Sequence, residues 1–86
     1  HDDKEAVSSE LAFVKVSVTG QTRAEILQLL SHYKAEALDM DTNSLIIQLT
    51  AESESIDKMI RLLEPYGIIE LVRSGKVVMA KGDVET

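Results

Sequence analysis

The sequence contains no cysteine and only 3% aromatic residues, and each shortage excludes a class of protein. Without cysteine there is neither a disulfide framework nor a thiolate metal site, and this composition fits the reducing cytoplasm. The aromatic residues are only Phe13, Tyr33 and Tyr66, too few for a surface that stacks nucleic-acid bases. We therefore expect an aliphatic core and no base-stacking function.

Positive charge is scarce as well, because 9 Lys and Arg face 15 Asp and Glu, for a formal net charge of −6. Nucleic-acid backbones and anionic membranes both attract clustered basic residues, so neither is expected as a partner. No apolar run approaches the length of a membrane span or of a signal-peptide core. These shortages predict a cytoplasmic protein with no nucleic-acid or membrane partner.

The length of 86 residues and the 44% hydrophobic content fit one small globular domain. Residues 1–9 are polar and aperiodic, which predicts a flexible leader or a remnant of an expression vector. His1 in place of Met indicates that the chain was cut from a longer one or carries such a remnant. Residues 10–82 are expected to form the domain, and residues 83–86 a flexible tail.

Hydrophobic periodicity divides the domain into six elements and an apolar extension. A capping box at Thr22 and Glu25 predicts the start of the first helix, and Ser53 is the predicted cap of the second. The predicted elements are a strand at 11–18, a helix at 23–32, strands at 34–40 and 45–50, a helix after residue 53, a strand at 68–72 and an extension at 77–80. This order predicts an α+β ferredoxin-like βαββαβ sandwich, with two helices on one face of a four-stranded antiparallel sheet.

No set of residues in the folded region has the composition of a catalytic, cofactor or metal site. His32 stands at a helix end, where it favours the negative end of the helix dipole. Asp39 and Asp41 flank Met40 near a predicted turn, but two carboxylates are too few oxygen ligands for Ca²⁺ or Mg²⁺. We assign no catalytic, cofactor-binding or metal-binding residue.

Several functions are hosted by ferredoxin-like domains, and most need chemistry that is missing here. An acyl phosphate hydrolase needs an Arg–Asn phosphate site in the first loop, for which Gln21 and Arg23 are a poor substitute. A metal chaperone needs paired cysteines, and an RNA-recognition sheet needs aromatic residues and basic charge. A regulatory domain needs no reactive group.

In chain order, the residues resemble the C-terminal domain of the small, regulatory subunit of acetolactate synthase (acetohydroxyacid synthase). The stretch ELAFVKV at 10–16 is similar to the family's E-L-x-L-V/I-K-V, and GIIELVRSG at 67–75 is similar to its G-I-x-E-x-x-R-S/T-G. Further matching segments are the helix at 23–33, 35–41, 44–50 and 56–57. The resemblance covers residues 10–82.

The resemblance implies a regulatory domain that is not itself an enzyme. In this family a separate large subunit carries the thiamine diphosphate chemistry, so no cofactor is implied for this domain. An ACT domain that binds valine or another branched-chain amino acid precedes the domain in the full small subunit. The implied role is association with the large subunit and feedback control of valine, isoleucine and leucine biosynthesis, as a homodimer or higher oligomer. The alternative is an independent amino-acid-sensing module.

The end of the domain carries the predicted subunit contact. After a glycine, the chain continues into an apolar run that one small sheet is not expected to bury. Such an extension commonly pairs with a second copy or another subunit, although it could instead fold back as a hairpin on its own sheet. The predicted contact residues are Arg73, Ser74, Gly75, Val77, Val78 and Met79.

Overall fold

The computed structural model describes residues 6–80, which form five strands, two α-helices and a short 3-10 helix. In chain order these are β1 (Ala6–Ser17), α1 (Gly20–Tyr33), β2 (Glu36–Met40), β3 (Ser44–Ala51), α2 (Ser53–Leu63), the 3-10 helix (Glu64–Tyr66), β4 (Ile68–Arg73) and β5 (Val77–Ala80). The tail predicted at 83–86 lies outside the described residues.

Strands β2, β3, β1 and β4 lie side by side in that order, all antiparallel to their neighbours, and β5 pairs with β1. Buried residues from β1, β3 and both helices form one cluster, so the two helices cover the same face of the sheet. This arrangement confirms the predicted ferredoxin-like sandwich and its C-terminal strand extension.

The core is aliphatic, as the scarcity of aromatic residues predicts. Successive side chains of a strand point to opposite faces, so every second residue of β1 and β3 reaches the helices. The buried cluster contains Ala12, Val14, Val16, Val18, Ile26, Leu30, Leu45, Ile47, Leu49, Ile56, Met59 and Leu63. Phe13 is outside this cluster, on the face of the sheet that the helices leave open.

The start of α1 differs from the predicted one. The helix begins at Gly20 with Thr19 as its N-cap, because the Thr19 hydroxyl accepts from the Thr22 N–H at 3.1 Å. The Thr22 hydroxyl in turn accepts from the Thr19 N–H at 2.9 Å, which completes a capping box one turn earlier than the predicted Thr22–Glu25 pair. At the other end, His32 lies in the last turn as predicted, and Lys34 adopts the left-handed conformation that ends the helix.

The first strand begins earlier than predicted. The sequence predicts a leader through residue 9, but β1 starts at Ala6 and its residues 6–9 pair with β5. Because Ser8 and Ser9 are polar, residues 6–9 show no hydrophobic pattern typical of a strand. Their pairing partners, residues 77–80, lie near the other end of the sequence. We call the paired segments 6–9 and 77–80 the ribbon.

Candidate subunit-contact site

The ribbon continues the β4 edge of the sheet along β1. Ala12 pairs with Arg73 and Ser9 pairs with Val77, so three steps along β1 correspond to four steps along the other strand. One residue is therefore extra between β4 and β5, as in a β-bulge. Gly75 lies in this interruption with φ +83°, a conformation that glycine adopts without the strain of a Cβ.

Ser74 maintains the pairing through the interruption. Its N–H donates to the Leu11 carbonyl oxygen at 2.9 Å, and its hydroxyl accepts from the Leu11 N–H at 3.0 Å. The same hydroxyl donates to the carbonyl oxygen of Gly75 at 2.9 Å. The extension therefore neither bends away from the sheet nor forms a hairpin with β4, because it follows β1 as a new strand.

A charged cluster lies beside this interruption and joins three elements. Arg73, at the end of β4, donates from Nε to Glu10 Oε2 at 2.7 Å and from Nη2 to Glu10 Oε1 at 2.8 Å. Its Nη1 donates to Asp57 Oδ1 of α2 at 2.7 Å. The Ser53 hydroxyl of α2 donates to Glu10 Oε1 at 2.8 Å. The cluster thus connects the central strand β1 and the edge strand β4 to the first half of the second helix.

Burial makes these hydrogen bonds important for Glu10, whose side chain is only 5% exposed. Hydrogen bonds from Arg73 and then from Ser53 stabilise the carboxylate and hold the pKa of Glu10 at about 2. The same bonds, to Glu10 first and to Asp57 second, raise the pKa of Arg73. Both groups are therefore charged at neutral pH.

The cluster corrects the predicted cap of α2 and includes Glu10 and Asp57, which the sequence patterns did not identify as site residues. Ser53 is not the cap but the first residue of α2, and its hydroxyl donates to Glu10. The N-cap is Glu52, whose side chain makes no capping hydrogen bond. Glu10 precedes Ala12, Val14 and Val16 on the buried face of β1, so its position in the alternation was a signal. A carboxylate on a buried face needs a charged or hydrogen-bonding partner.

The predicted contact residues occupy one continuous path. Arg73 faces the cluster inside the chain, Ser74 and Gly75 form the interruption, and Val77 begins β5 with 57% of its surface exposed. The backbones of Val78 and Met79 pair with Ser8 and Val7. On the other side of β1, β3 ends opposite Glu10, so within residues 6–80 the segment 6–9 has a partner strand on one side only.

The residues considered for a phosphate or metal site have structural partners around the turn between β2 and β3. Asp41 accepts from the Thr42 N–H at 2.8 Å through its carboxylate, and its carbonyl oxygen accepts from Arg23 Nη2 at 2.8 Å. No group of three or more His, Cys, Asp or Glu side chains in residues 6–80 is placed to hold a metal ion. An open groove between the helices is lined by Glu25, Gln28, Leu29, His32, Tyr33, Leu62 and Tyr66.

Comparison with known proteins identifies the family. A sequence model described as the small subunit of acetolactate synthase matches residues 9–82. The chain belongs to the acetolactate synthase small-subunit family. This confirms the resemblance that the ordered segments indicate.

Relatives and a solved structure agree with this membership. The acetolactate synthase small subunit of Mycolicibacterium smegmatis is 37% identical over 81 residues, which cover 94% of this chain and 48% of that protein. The small subunit of Bacillus subtilis is 40% identical over 76 residues, covering 88% and 44%. A crystal structure of the small subunit from Thermotoga maritima superposes with a TM-score of 0.85 at 27% identity, covering 94% of this chain and 50% of that one. The chain thus spans about half the length of these relatives.

Neither helix within residues 6–80 combines the length and the apolar content that crossing a bilayer requires.

Proposed function

We propose that the chain is a non-catalytic regulatory domain of acetolactate synthase. In this role it supports association with the catalytic large subunit and feedback control of branched-chain amino-acid biosynthesis in the cytoplasm. The match of residues 9–82 to the small-subunit family carries the proposal. The thiamine diphosphate chemistry belongs to the large subunit, and this domain binds no cofactor.

The ribbon is the proposed contact of the domain with a second copy or another subunit. A two-stranded ribbon is marginally stable by itself in water, and strand edges readily pair with other strands. Within residues 6–80, β5 pairs with β1 alone, and Val77 is 57% exposed. Pairing across one of these edges would bury apolar surface and satisfy backbone groups together, which supports a homodimer or higher oligomer.

Arg73, Ser74 and Gly75 have a positioning role in this proposal. The guanidinium of Arg73 is bonded to Glu10 and Asp57, so it holds the start of the extension against the sheet. Ser74 and Gly75 then set the direction in which β5 leaves. In this proposal, residues 77–79 make the contact with the neighbouring chain.

Sedimentation velocity on purified subunits tests the proposal. Large subunit is mixed with a full-length small subunit that carries this domain, or with a version from which the domain is removed. We expect the complete small subunit to form the heavier complex and the shortened version to form less of it at equal concentrations. Equal complex formation by both would show that this domain does not support the association.

A further inference from the structure

The sheet has an open face that the helices do not cover, and its centre is apolar. In an antiparallel pair, residues directly opposite each other lie on the same face, so the register assigns every strand residue to one side. Phe13 lies between Val72 of β4 and Gln48 of β3, opposite to the buried face that holds Ala12 and Val14. Phe13 is half-buried there and Val72 is 57% exposed. The one phenylalanine of the chain therefore lies outside the core.

Leu11 and Ile46 extend this apolar centre. Leu11 is two residues before Phe13 on the same side of β1, and Ile46 pairs with Lys15 on that side. Both are half-buried. A sheet with one side against helices normally presents polar residues on the other side, so an apolar centre on that side indicates a surface that another protein covers.

The charges around the centre are mostly negative. Glu36 pairs with Gln48, Asp39 pairs with Ile46, and Glu70 pairs with Lys15, which places all of them on the open face. Three carboxylates and one ammonium group give a net charge of −2 for the strand residues of this face. Glu36, Asp39 and Glu70 are exposed to solvent.

These charges disfavour a second copy as the occupant of the open face. A second copy would bring an identical face of net charge −2 from a chain of net charge −6. Like charges across an interface are destabilising, whereas complementary charges steer association and fix its register. A partner surface that is apolar and surrounded by basic residues would complement both the apolar centre of the open face and its negative charges.

We propose that the open face of the sheet binds the large subunit, through an apolar patch on that subunit rimmed by lysine or arginine. This inference rests on the proposed function, which supplies the large subunit as the partner. It assigns the open face to the large subunit and leaves the ribbon to contacts between copies. Phe13 and Val72 are the apolar contacts, and Glu36 and Asp39 are the charged ones.

Charge reversal on a full-length small subunit tests this assignment. The variant Glu36→Lys with Asp39→Lys changes the open face, and the control Glu25→Lys with Glu64→Lys makes the same change in net charge at exposed positions on the helices. We expect the dissociation constant for the purified large subunit to rise at least about tenfold for the first pair and less than about threefold for the control. The dissociation constant should also depend less on salt concentration for the first pair only, because that pair removes charges that attract the large subunit.

A third variant probes the apolar centre without altering the β2 edge. Val72→Asp changes an exposed position of β4 and should weaken large-subunit binding by at least about tenfold, with an unchanged circular dichroism spectrum. Equal effects of both charge pairs, or normal binding by Val72→Asp, would overturn the assignment. So would a change in self-association of the small subunit alone, because the acids would then only protect the β2 edge or face a second copy.

The outcome also separates this inference from the proposed function. If removal of the whole domain abolishes complex formation while all these variants bind normally, the open face is not the contact and the proposed function stands. If the domain can be removed without effect on the complex, the proposed function fails, and the open-face assignment fails with it.

Discussion

Arg73 and Glu10 lie 63 residues apart in the sequence and are joined by two parallel hydrogen bonds, Nε to Oε2 at 2.7 Å and Nη2 to Oε1 at 2.8 Å. This bidentate geometry matches the planar guanidinium to the carboxylate, which lysine does not reproduce. The pair links β1 to the end of β4, directly beside the ribbon. It therefore couples the position of the ribbon to the packed core.

Acid should weaken the domain through Glu10. The folded-state pKa of about 2 is depressed, so the stabilisation is complete above the unfolded value near 4.5 and is lost as the pH falls from there toward 2. We expect Glu10→Gln to lower the free energy of unfolding at pH 7 and to reduce its loss over that acid window. Urea unfolding at several pH values measures both effects, with Glu25→Gln at an exposed position as the control. An unaltered acid slope in Glu10→Gln would contradict the assigned role.

Gly75 should resist substitution because of its backbone conformation and not because of space. A Cβ at Gly75 would meet no atom within 4 Å, but its φ of +83° strains any L side chain. We expect Gly75→Ala to cost about 1–2 kcal/mol of stability. Gly20→Ala is the matched control, since a Cβ at Gly20 also meets nothing within 4 Å and Gly20 lies at a helix start, where alanine is favourable. Equal stability of both variants would mean that the left-handed conformation is not required.

The ribbon contact predicts a separation of folding from self-association. In Val78→Asp with Met79→Asp, two charges enter β5, and we expect a folded domain whose self-association is lost, because charges disfavour edge pairing. Sedimentation and circular dichroism together measure this. The control Gln21→Asp with Ala24→Asp adds the same charge at exposed positions of α1 and should associate normally. An unmutated domain that stays monomeric at high concentration would contradict the ribbon contact before any variant is made.

An independent amino-acid sensor would bind its ligand without the rest of the protein. The groove between the helices is the surface to test, because it is open and carries a few polar side chains, which are Glu25, Gln28 and His32. We expect no saturable heat when valine, leucine or isoleucine is titrated into the isolated chain. Saturable binding at one ligand per chain that disappears in Glu25→Gln would favour the sensor function instead.

Local sequence patterns predicted the fold well because they act over short distances. Alternation in β1 and β3 and helical spacing in α2 each identify an element and its buried face. The start of α1 was misplaced by three residues, since both Thr19 and Thr22 are good caps and only the three-dimensional context decides between them.

The site was harder to predict, because its contacts depend on register between distant strands. The alignment of β4 and β5 with β1 brings Arg73 to Glu10 and pairs Val78 with Ser8. Residues 6–9 carry too little apolar character to be read as a strand alone. The alternation in β1 indicates that the strand has two different faces. Tertiary packing decides which of these faces the helices cover, and therefore whether Phe13 lies in the core.

The regulatory role of this domain is tested most directly by an activity measurement. Purified large subunit is combined with the full-length small subunit, or with a small subunit that lacks this domain, and a branched-chain amino acid is titrated into each mixture. If the domain is regulatory, its removal should lower the activity gained from the small subunit, shift the inhibition curve to higher amino-acid concentration, or both. The shortened small subunit must remain folded, which circular dichroism establishes. Identical activity and identical inhibition curves for the two forms would contradict a regulatory role for this domain.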